Sequence, residues 1–508
     1  MNTTTTTLTS AAASRSAGPG RWIDHWDPEN PAFWETTGQR IARRNLVLSI
    51  LAEHLGFSVW VLWTVVVINL GNVGIKLSIG DQFLLTALPN LIGSLLRIPY
   101  TFAVPRFGGR AWTTFSASLL LLPCTLLAVV VPSGWLSGAS HSTQLWVLLA
   151  CAATAGVGGG NFSSSMANIS FFYPEARKGL ALGLNAAGGN LGVAVCQLVV
   201  PLVLIVGVPA AAVKLPIHHV QLAYAGLVWM PFIVAIALCA WLRMDSLTQA
   251  KTDTEPYLTA LRSRQTWVIS LLYVGTFGSF IGYSFALPIL IKNTFPSFLA
   301  HHSFIATYLA GLSFVGALVG SLARPLGGWL ADRLGGARVT LCCFCGMAIA
   351  TAAAIDGVET RSFAVFFASF TVVFLCSGAG NGSTYRMIPS IYAALARHAP
   401  GRELEFKRQA AGAIGIAGAI GALGGFFIQL ALRQASLPVV TAMAAAAKHI
   451  QKNSQLAATI AGAHATWSVP ALGAFLAGYV LLAGLTWFCY LRSSVLTHRF
   501  PSLAAEVI

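Results

Sequence analysis

The amino-acid sequence predicts an all-α membrane protein: twelve transmembrane helices in two pseudo-symmetric six-helix halves, with both termini cytoplasmic. Three observations carry this. Hydrophobic residues make up 56% of the 508 and charged ones only 9%, too few charges to solvate a globule of that size. A bilayer is crossed by about 20 apolar residues in a helix, and runs of that order recur at approximately 46–70, 82–104, 112–132, 145–172, 180–206, 220–243, 265–290, 304–327, 338–356, 363–392, 410–432 and 468–491. The phrase Gly93-Ser94-Leu95-Leu96-Arg97-Ile98-Pro99, inside the second run, returns as Gly320-Ser321-Leu322-Ala323-Arg324-Pro325 inside the eighth, the mark of a six-plus-six repeat.

The net charge of +15 does not indicate nucleic acid. Lys and Arg gather on one set of loops, among them Arg40, Arg43, Arg44, Arg106, Arg110, Arg177 and Lys178, and such a bias orients a polytopic chain with those loops in the cytoplasm. The nine cysteines show no metal spacing. Cys342, Cys343 and Cys345 lie in an apolar run and read as buried free thiols. No Ser/His/Asp, metal or cofactor constellation emerges, so neither an enzyme nor a cofactor is expected.

Residues 1–45 read as a disordered tail and an interfacial lead-in. The Thr/Ser/Ala-rich start lacks the apolar region of a cleavable signal. Trp26, Phe33 and Trp34 ahead of Arg40, Arg43 and Arg44 predict rings at headgroup level with arginines on the cytoplasmic side. The N-terminal half follows over 46–244. Its first span holds Glu53 and His54 about two turns in, roughly 10 Å deep at 1.5 Å per residue. Ionisable groups at that depth are a functional hypothesis by default, and either is a candidate carrier of a coupling proton. Trp60 and Trp63 read as packing or interfacial residues. The second span carries Arg97. The fourth, Gly156 to Pro174, contains Asn161 and Phe162; the fifth contains Gly183, Gly188, Gly189, Asn190 and Gly192. In lipid, small residues let helices approach closely and amide or hydroxyl side chains join them.

A short polar linker, 245–264, leads to the C-terminal half, 265–492. Its eighth span carries Arg324 and runs into Gly327-Gly328-Trp329-Leu330-Ala331-Asp332-Arg333-Leu334-Gly335-Gly336-Ala337-Arg338. The tenth contains Asn381 to Pro389, with Arg386 toward the cytoplasmic end. The eleventh carries a stripe of Gly415, Gly418, Gly421, Gly424 and Gly425. The connection 433–466 is long and Ala-rich, and Val439 to Gln455 within it predicts an external amphipathic helix. Residues 493–508 form a C-terminal tail.

The two intramembrane arginines organise the reading. A guanidinium stays charged in the membrane, at a cost of roughly 3 kcal/mol or more at the bilayer centre. A chain that bears this cost twice, at repeat-related places, uses the charges. Arg97 and Arg324 are therefore expected to face each other across the pseudo-twofold axis and hold a small anion. A planar fork donates paired hydrogen bonds to a flat oxyanion, a geometry lysine lacks.

These residues together resemble the nitrate/nitrite porter family of the major facilitator superfamily. The likeness runs from about Trp26 to Phe427. It rests on Arg97, Arg324, Asn161 to Pro174, Gly183 to Gly192, Asn381 to Pro389 and Gly415 to Gly425. It implies the major facilitator fold and binding of nitrate and nitrite by the two arginines, with Phe162, Tyr273 and Phe277 enclosing the flat anion and Asn190 contributing. Gly183, Gly188, Gly189 and Gly192, and Gly415, Gly418, Gly421 and Gly424, match the family's two glycine signatures. Asp332, Arg333 and Arg338, with Arg386, fall in a gate or scaffold role. A multi-pass protein of the bacterial inner membrane, monomeric and without cofactor, is expected.

Two unpaired cations in a narrow cavity repel, and a bound anion reverses that sign. This favours a carrier that resets only with cargo, taking nitrate in and nitrite out. Proton-coupled nitrate symport through Glu53 or His54 is the competing reading, and a non-transporting nitrate sensor the reading outside the class.

Overall fold

A computed structural model describes residues 21–206, 220–250, 255–399, 401–447 and 466–492. Twelve helices long and apolar enough to cross a bilayer are present among them. They are α1 (Pro31–Val73), α2 (Ile79–Thr101), α3 (Gly109–Val130), α4 (His141–Phe172), α5 (Glu175–Leu204), α6 (Ala223–Arg243), α7 (Arg264–Thr294), α8 (Ala310–Leu334), α9 (Gly336–Glu359), α10 (Phe363–Arg397), α11 (Glu405–Pro438) and α12 (Val469–Leu491).

Local sequence explains where several begin. Ser78 caps α2 in a reciprocal box with Asp81: the Asp81 amide donates to the Ser78 hydroxyl at 3.1 Å, and the Ser78 amide to the Asp81 carboxylate at 3.3 Å. Ser140 and Ser362 accept in the same way at the starts of α4 and α10, each satisfying one of the donors a helix start leaves open. The α2–α3 and α8–α9 connections each turn on a glycine with left-handed φ, Gly108 at 83° and Gly335 at 88°. L side chains rarely adopt that conformation, so the internal repeat reaches the backbone of these two loops.

Small residues set the helix spacing. A Cβ on Gly378 or Gly382 of α10 would run into the α8 backbone at Gly320 or Arg324, and one on Gly327 of α8 into Ala379. Gly56 of α1 meets Gly158 of α4 backbone to backbone. Such close approach is how helices gain packing energy in lipid. Within each half α5 packs on α1 and α11 on α7; across the halves α2 packs on α11 and α5 on α8.

At one end, a collar fixes the N-terminal arm to the interhalf linker. Strand β1 (Trp22–Ile23) pairs in parallel with β2 (Ser246–Leu247). Asp245, fully buried, accepts from Arg21 at 3.1 Å, from Asn45 at 3.1 Å, and from Arg44. The linker is thus partly structured, and its first residues belong to the N-terminal half. Trp26 and Trp34 are buried against Phe33, Phe172 and Leu247, so the arm packs on protein where the sequence placed its rings at headgroup level.

Other expectations also shift. The first helix starts at Pro31, well before 46, because Asn30 caps it through the Ala32 and Phe33 amides. The α11 helix continues past 432, through the start of the Ala-rich connection to Ala447. The rest of the proposed external helix, and the tails 1–20 and 493–508, lie outside the described residues. Of the three clustered thiols only Cys343 is buried; Cys342 and Cys345 are exposed on the outer surface of α9.

Candidate anion-binding site

The helices converge on Arg97. Its side chain is completely buried, donating from Nε to the Gly159 carbonyl of α4 at 3.0 Å and from Nη1 to the Gly418 carbonyl of α11 at 2.7 Å. One guanidinium thus ties α2 to its own half and to the other. A side chain at Gly159 would strike the Trp60 ring, so the glycine lets α1 and α4 close over the arginine. Nη2 of Arg97 is buried and has no partner.

Arg324 comes from α8 and is 3% exposed. Its Nη2 donates to the Tyr273 hydroxyl at 3.3 Å, and Nη1 is buried with no partner. The guanidinium carbons of Arg97 and Arg324 lie 4.7 and 5.4 Å from the centroid of the same ring, Phe162. The sequence-predicted pair therefore shares one aromatic neighbour, and each member keeps an unused N–H group.

Rings form the walls. Tyr273 and Phe277 stack at 5.4 Å and 13°, and Phe277 stacks on Phe162 at 6.0 Å and 19°, a layer crossing from α7 to α4. The backbone of α7 takes a π-helical turn over Val274–Gly278, a local widening often found at functional sites; it directly follows Tyr273 and contains Phe277. Gly421 of α11 faces the Tyr273 ring, and Gly424 lies 2.7 Å from Gly278, measured from an added Cβ. The second glycine signature thus seats the aromatic wall.

Two aromatic members escaped the sequence reading. Trp60, which the sequence marks as a packing or interfacial residue, lies 5.6 Å from the Arg97 guanidinium and is held by its indole N–H on the Pro89 carbonyl at 2.8 Å. Tyr385 lies 5.7 Å from Arg324 and 5.9 Å from Tyr273. Its place beside Arg386 in the α10 string was the available signal.

Glu53 is fully buried on α1; neither carboxylate oxygen has a partner within 3.5 Å, and the Ser165 hydroxyl is its polar neighbour. Its stem lies against Gly189 of α5, and it stands in the field of both arginines. His54 is occupied differently: Nδ1 is 3.1 Å from the Gly188 carbonyl, which joins α1 to α5. Asn190 is buried with both amide atoms unpartnered.

A profile of the Major Facilitator Superfamily matches residues 45–429. The nitrate/nitrite transporter NarU of Escherichia coli K12 is 40% identical over 423 residues, covering 79% of this chain and 87% of its own length. The chain belongs to the nitrate/nitrite porter family of the major facilitator superfamily. A probable nitrate/nitrite antiporter, NarK2 of Thermus thermophilus, is 35% identical, with 80% of this chain and 88% of that protein covered. The nitrite extrusion protein of Bacillus subtilis 168 is 31% identical, at 77% and 87% coverage. Among solved structures, the D-xylose-proton symporter superposes with a TM-score of 0.60 at 16% identity, covering 88% of this chain and 97% of that one; that likeness speaks for the fold alone. Membership of the family places this chain among transporters rather than enzymes. Among the described residues no group of three or more His, Cys, Asp or Glu could hold a metal ion.

The remaining sequence candidates lie away from the rings. Asp332 pairs with Arg386 on the exposed surface between α8 and α10, and Arg333 lies 4.1 Å over Trp329. Arg338 is exposed at the start of α9. Of the glycines expected to bring helices together, Gly188, Gly189 and Gly192 press α5 onto Ile50, Glu53 and the His54 carbonyl of α1. Gly183 does not: a Cβ there would meet open space. Gly418 acts through its carbonyl, and Gly415 is half-buried.

Proposed function

We propose that this chain carries nitrate and nitrite across the bacterial inner membrane by alternating access, most simply taking nitrate in against nitrite. The observation that carries this is the pair of unpartnered guanidinium N–H groups, one from each half, beside a shared ring. A buried cation with an open donor calls for an anion, and a flat one fits against stacked rings. The two guanidinium carbons, 4.7 and 5.4 Å from one ring centroid, are within about 10 Å of each other, and at an effective dielectric near 20 such charges repel by about 2 kcal/mol. An anion between them turns repulsion into attraction and draws the halves together, which favours movement of the loaded carrier.

In this reading the collar lies on the cytoplasmic side, as the basic loops indicate, and one chain suffices as the working unit. The halves meet on the cytoplasmic side through Glu175 and Lys407, 2.9 Å apart. On the other they meet through Thr86 on Gln429 at 2.9 Å, Gln197 on the Ser284 carbonyl at 2.7 Å, and Lys292 on the Ile68 carbonyl. These contacts are the ones alternating access must break in turn. The test is counterflow in proteoliposomes: labelled nitrate enters faster when nitrite is preloaded. Equal rates with and without internal nitrite exclude exchange.

A second reading keeps its place because of one observation: Glu53 has a buried carboxylate without a hydrogen-bond partner, in the field of both arginines. Such a group is suited to take a proton as the anion arrives, giving proton-coupled nitrate uptake. Nitrate uptake driven by an inward proton gradient without internal nitrite, and lost in Glu53→Gln, selects it over exchange.

A further inference from the structure

The middle of α10 holds a second buried amide. Asn381 is fully buried, and neither its Oδ1 nor its Nδ2 has a partner. Buried amides are almost always hydrogen-bonded, so this one is held ready for something. Its direction follows from the helix. Gly378 and Gly382 lie on the α8 backbone, and Ser383 bonds Thr340 of α9 at 2.8 Å; those faces are taken. Residues three, four and seven apart share a face, which puts Asn381 beside Gly378 on the α8 side and in line with Tyr385 and Phe374, while Gly380 lies against Thr276 of α7; Asn381 thus lies at the edge where α7 and α8 meet. The Phe374 ring meets Phe280 of α7 at 6.1 Å, and Tyr385 meets Tyr273 at 5.9 Å. Asn381 is therefore the polar step in an aromatic stripe turned toward the wall of the arginine site.

We infer that Asn381 is a further substrate-binding residue that donates to the third oxygen of nitrate and so separates nitrate from nitrite. This deepens the transport reading above and rests on it. The free Nη2 of Arg97 and Nη1 of Arg324 supply donors for two oxygens. Nitrite has only two. Nitrate has a third, at 120° from the others in the same plane, and an amide N–H is the neutral donor that suits it. Sites built to hydrogen-bond a group discriminate against an analogue lacking it more sharply than apolar sites do.

The test uses the full chain in proteoliposomes exchanging labelled nitrite, with unlabelled nitrate or nitrite as competitor. In Asn381→Leu, close in size but without a donor, the half-inhibiting nitrate concentration rises about tenfold, equivalent to about 1.4 kcal/mol, and the nitrite value rises no more than about threefold. Asn381→Ser, which keeps a hydroxyl donor, recovers part of the nitrate affinity. Equal shifts for both anions, or no shift for either, overturn the assignment. Should Asn381→Leu fail to elute as a monodisperse protein, Asn381→Ser decides alone: a nitrate-selective loss supports the role and an equal loss ends it. Wild-type protein that exchanges neither anion defeats the transport reading itself, a separate result from any seen in the variants.

Discussion

Arg97 and Arg324 occupy matching places in the two halves, yet they are wired differently. Arg97 is bound to two main-chain carbonyls, one in each half, at 3.0 and 2.7 Å, and its carbon lies within 5.6 Å of the centroids of Trp60, Phe162 and Phe277. Arg324 has a single long bond, 3.3 Å, to the Tyr273 hydroxyl. The repeat duplicated the charge but not its restraints. Arg97 is a strut between the halves in this state, bonded to main chain on both sides, whereas Arg324 is held by a side chain. In the exchange proposed above, an asymmetric site of this kind lets one cation stay with the scaffold while the other follows the anion.

The largest expected effect tests that contrast directly. Arg97→Lys removes the fork that reaches Gly159 and Gly418 together, and exchange falls about 100-fold or more, the scale of breaking a buried charged contact. Arg324→Lys keeps the charge and gives up the fork that reaches the Tyr273 hydroxyl and the open site together, so a loss of about tenfold is expected. Initial rates of nitrate exchange at matched reconstitution measure both. Equal losses would remove the strut from the account.

The glycine signatures sharpen the comparison at the next level. Gly424→Ala puts a methyl against Gly278 and the Val274 carbonyl, 2.8 Å away, backbone that has no flexible end to yield. Overpacking of this sort costs about 1–3 kcal/mol and lowers the thermal midpoint in detergent. Gly183→Ala meets nothing and leaves the midpoint unchanged or slightly higher. The reverse order would mean that the α11 stripe serves motion rather than packing.

Smaller effects follow from single contacts. Tyr273→Phe deletes the hydroxyl that holds Arg324 and shifts apparent nitrate affinity by about threefold, a modest effect because the bond, though its donor is charged, is long at 3.3 Å. The stacked ring remains, so exchange persists. Lys407→Gln removes the pair with Glu175, whose side chains are 64% and 50% exposed. Exposed pairs contribute about 1 kcal/mol or less and are screened by salt. Its effect on exchange is therefore the weakest of the set, and smaller still at high ionic strength.

The clustering of the candidate residues was largely legible in the sequence. Arg97, Arg324, Phe162, Tyr273 and Phe277 stand together as the family resemblance implied, because a membrane arginine and a motif-matched ring leave strong marks on a sequence. Trp60 and Tyr385 left none of that kind. An aromatic residue on an apolar helix reads as packing until a neighbour on another helix is known. The same holds for Glu53 and His54, adjacent in the chain: His54 bonds a backbone carbonyl of α5, while Glu53 is left with unpartnered oxygens. Consecutive residues on a helix point about 100° apart, and only the arrangement of neighbouring helices decides what each direction meets.

The sequence by itself determined the helices, their repeat and the two charges, since hydropathy and the cost of an ion in lipid act locally along the chain. Tertiary structure alone decided which groups stay unpaired. An open N–H on Arg97 or a bare amide on Asn381 is defined by the absence of a partner within about 3 Å, a distance set by helices far apart in the chain. In the transport proposed here, that residue of unsatisfied polarity, enclosed by rings and glycine-spaced helices, is what gives the anion its place.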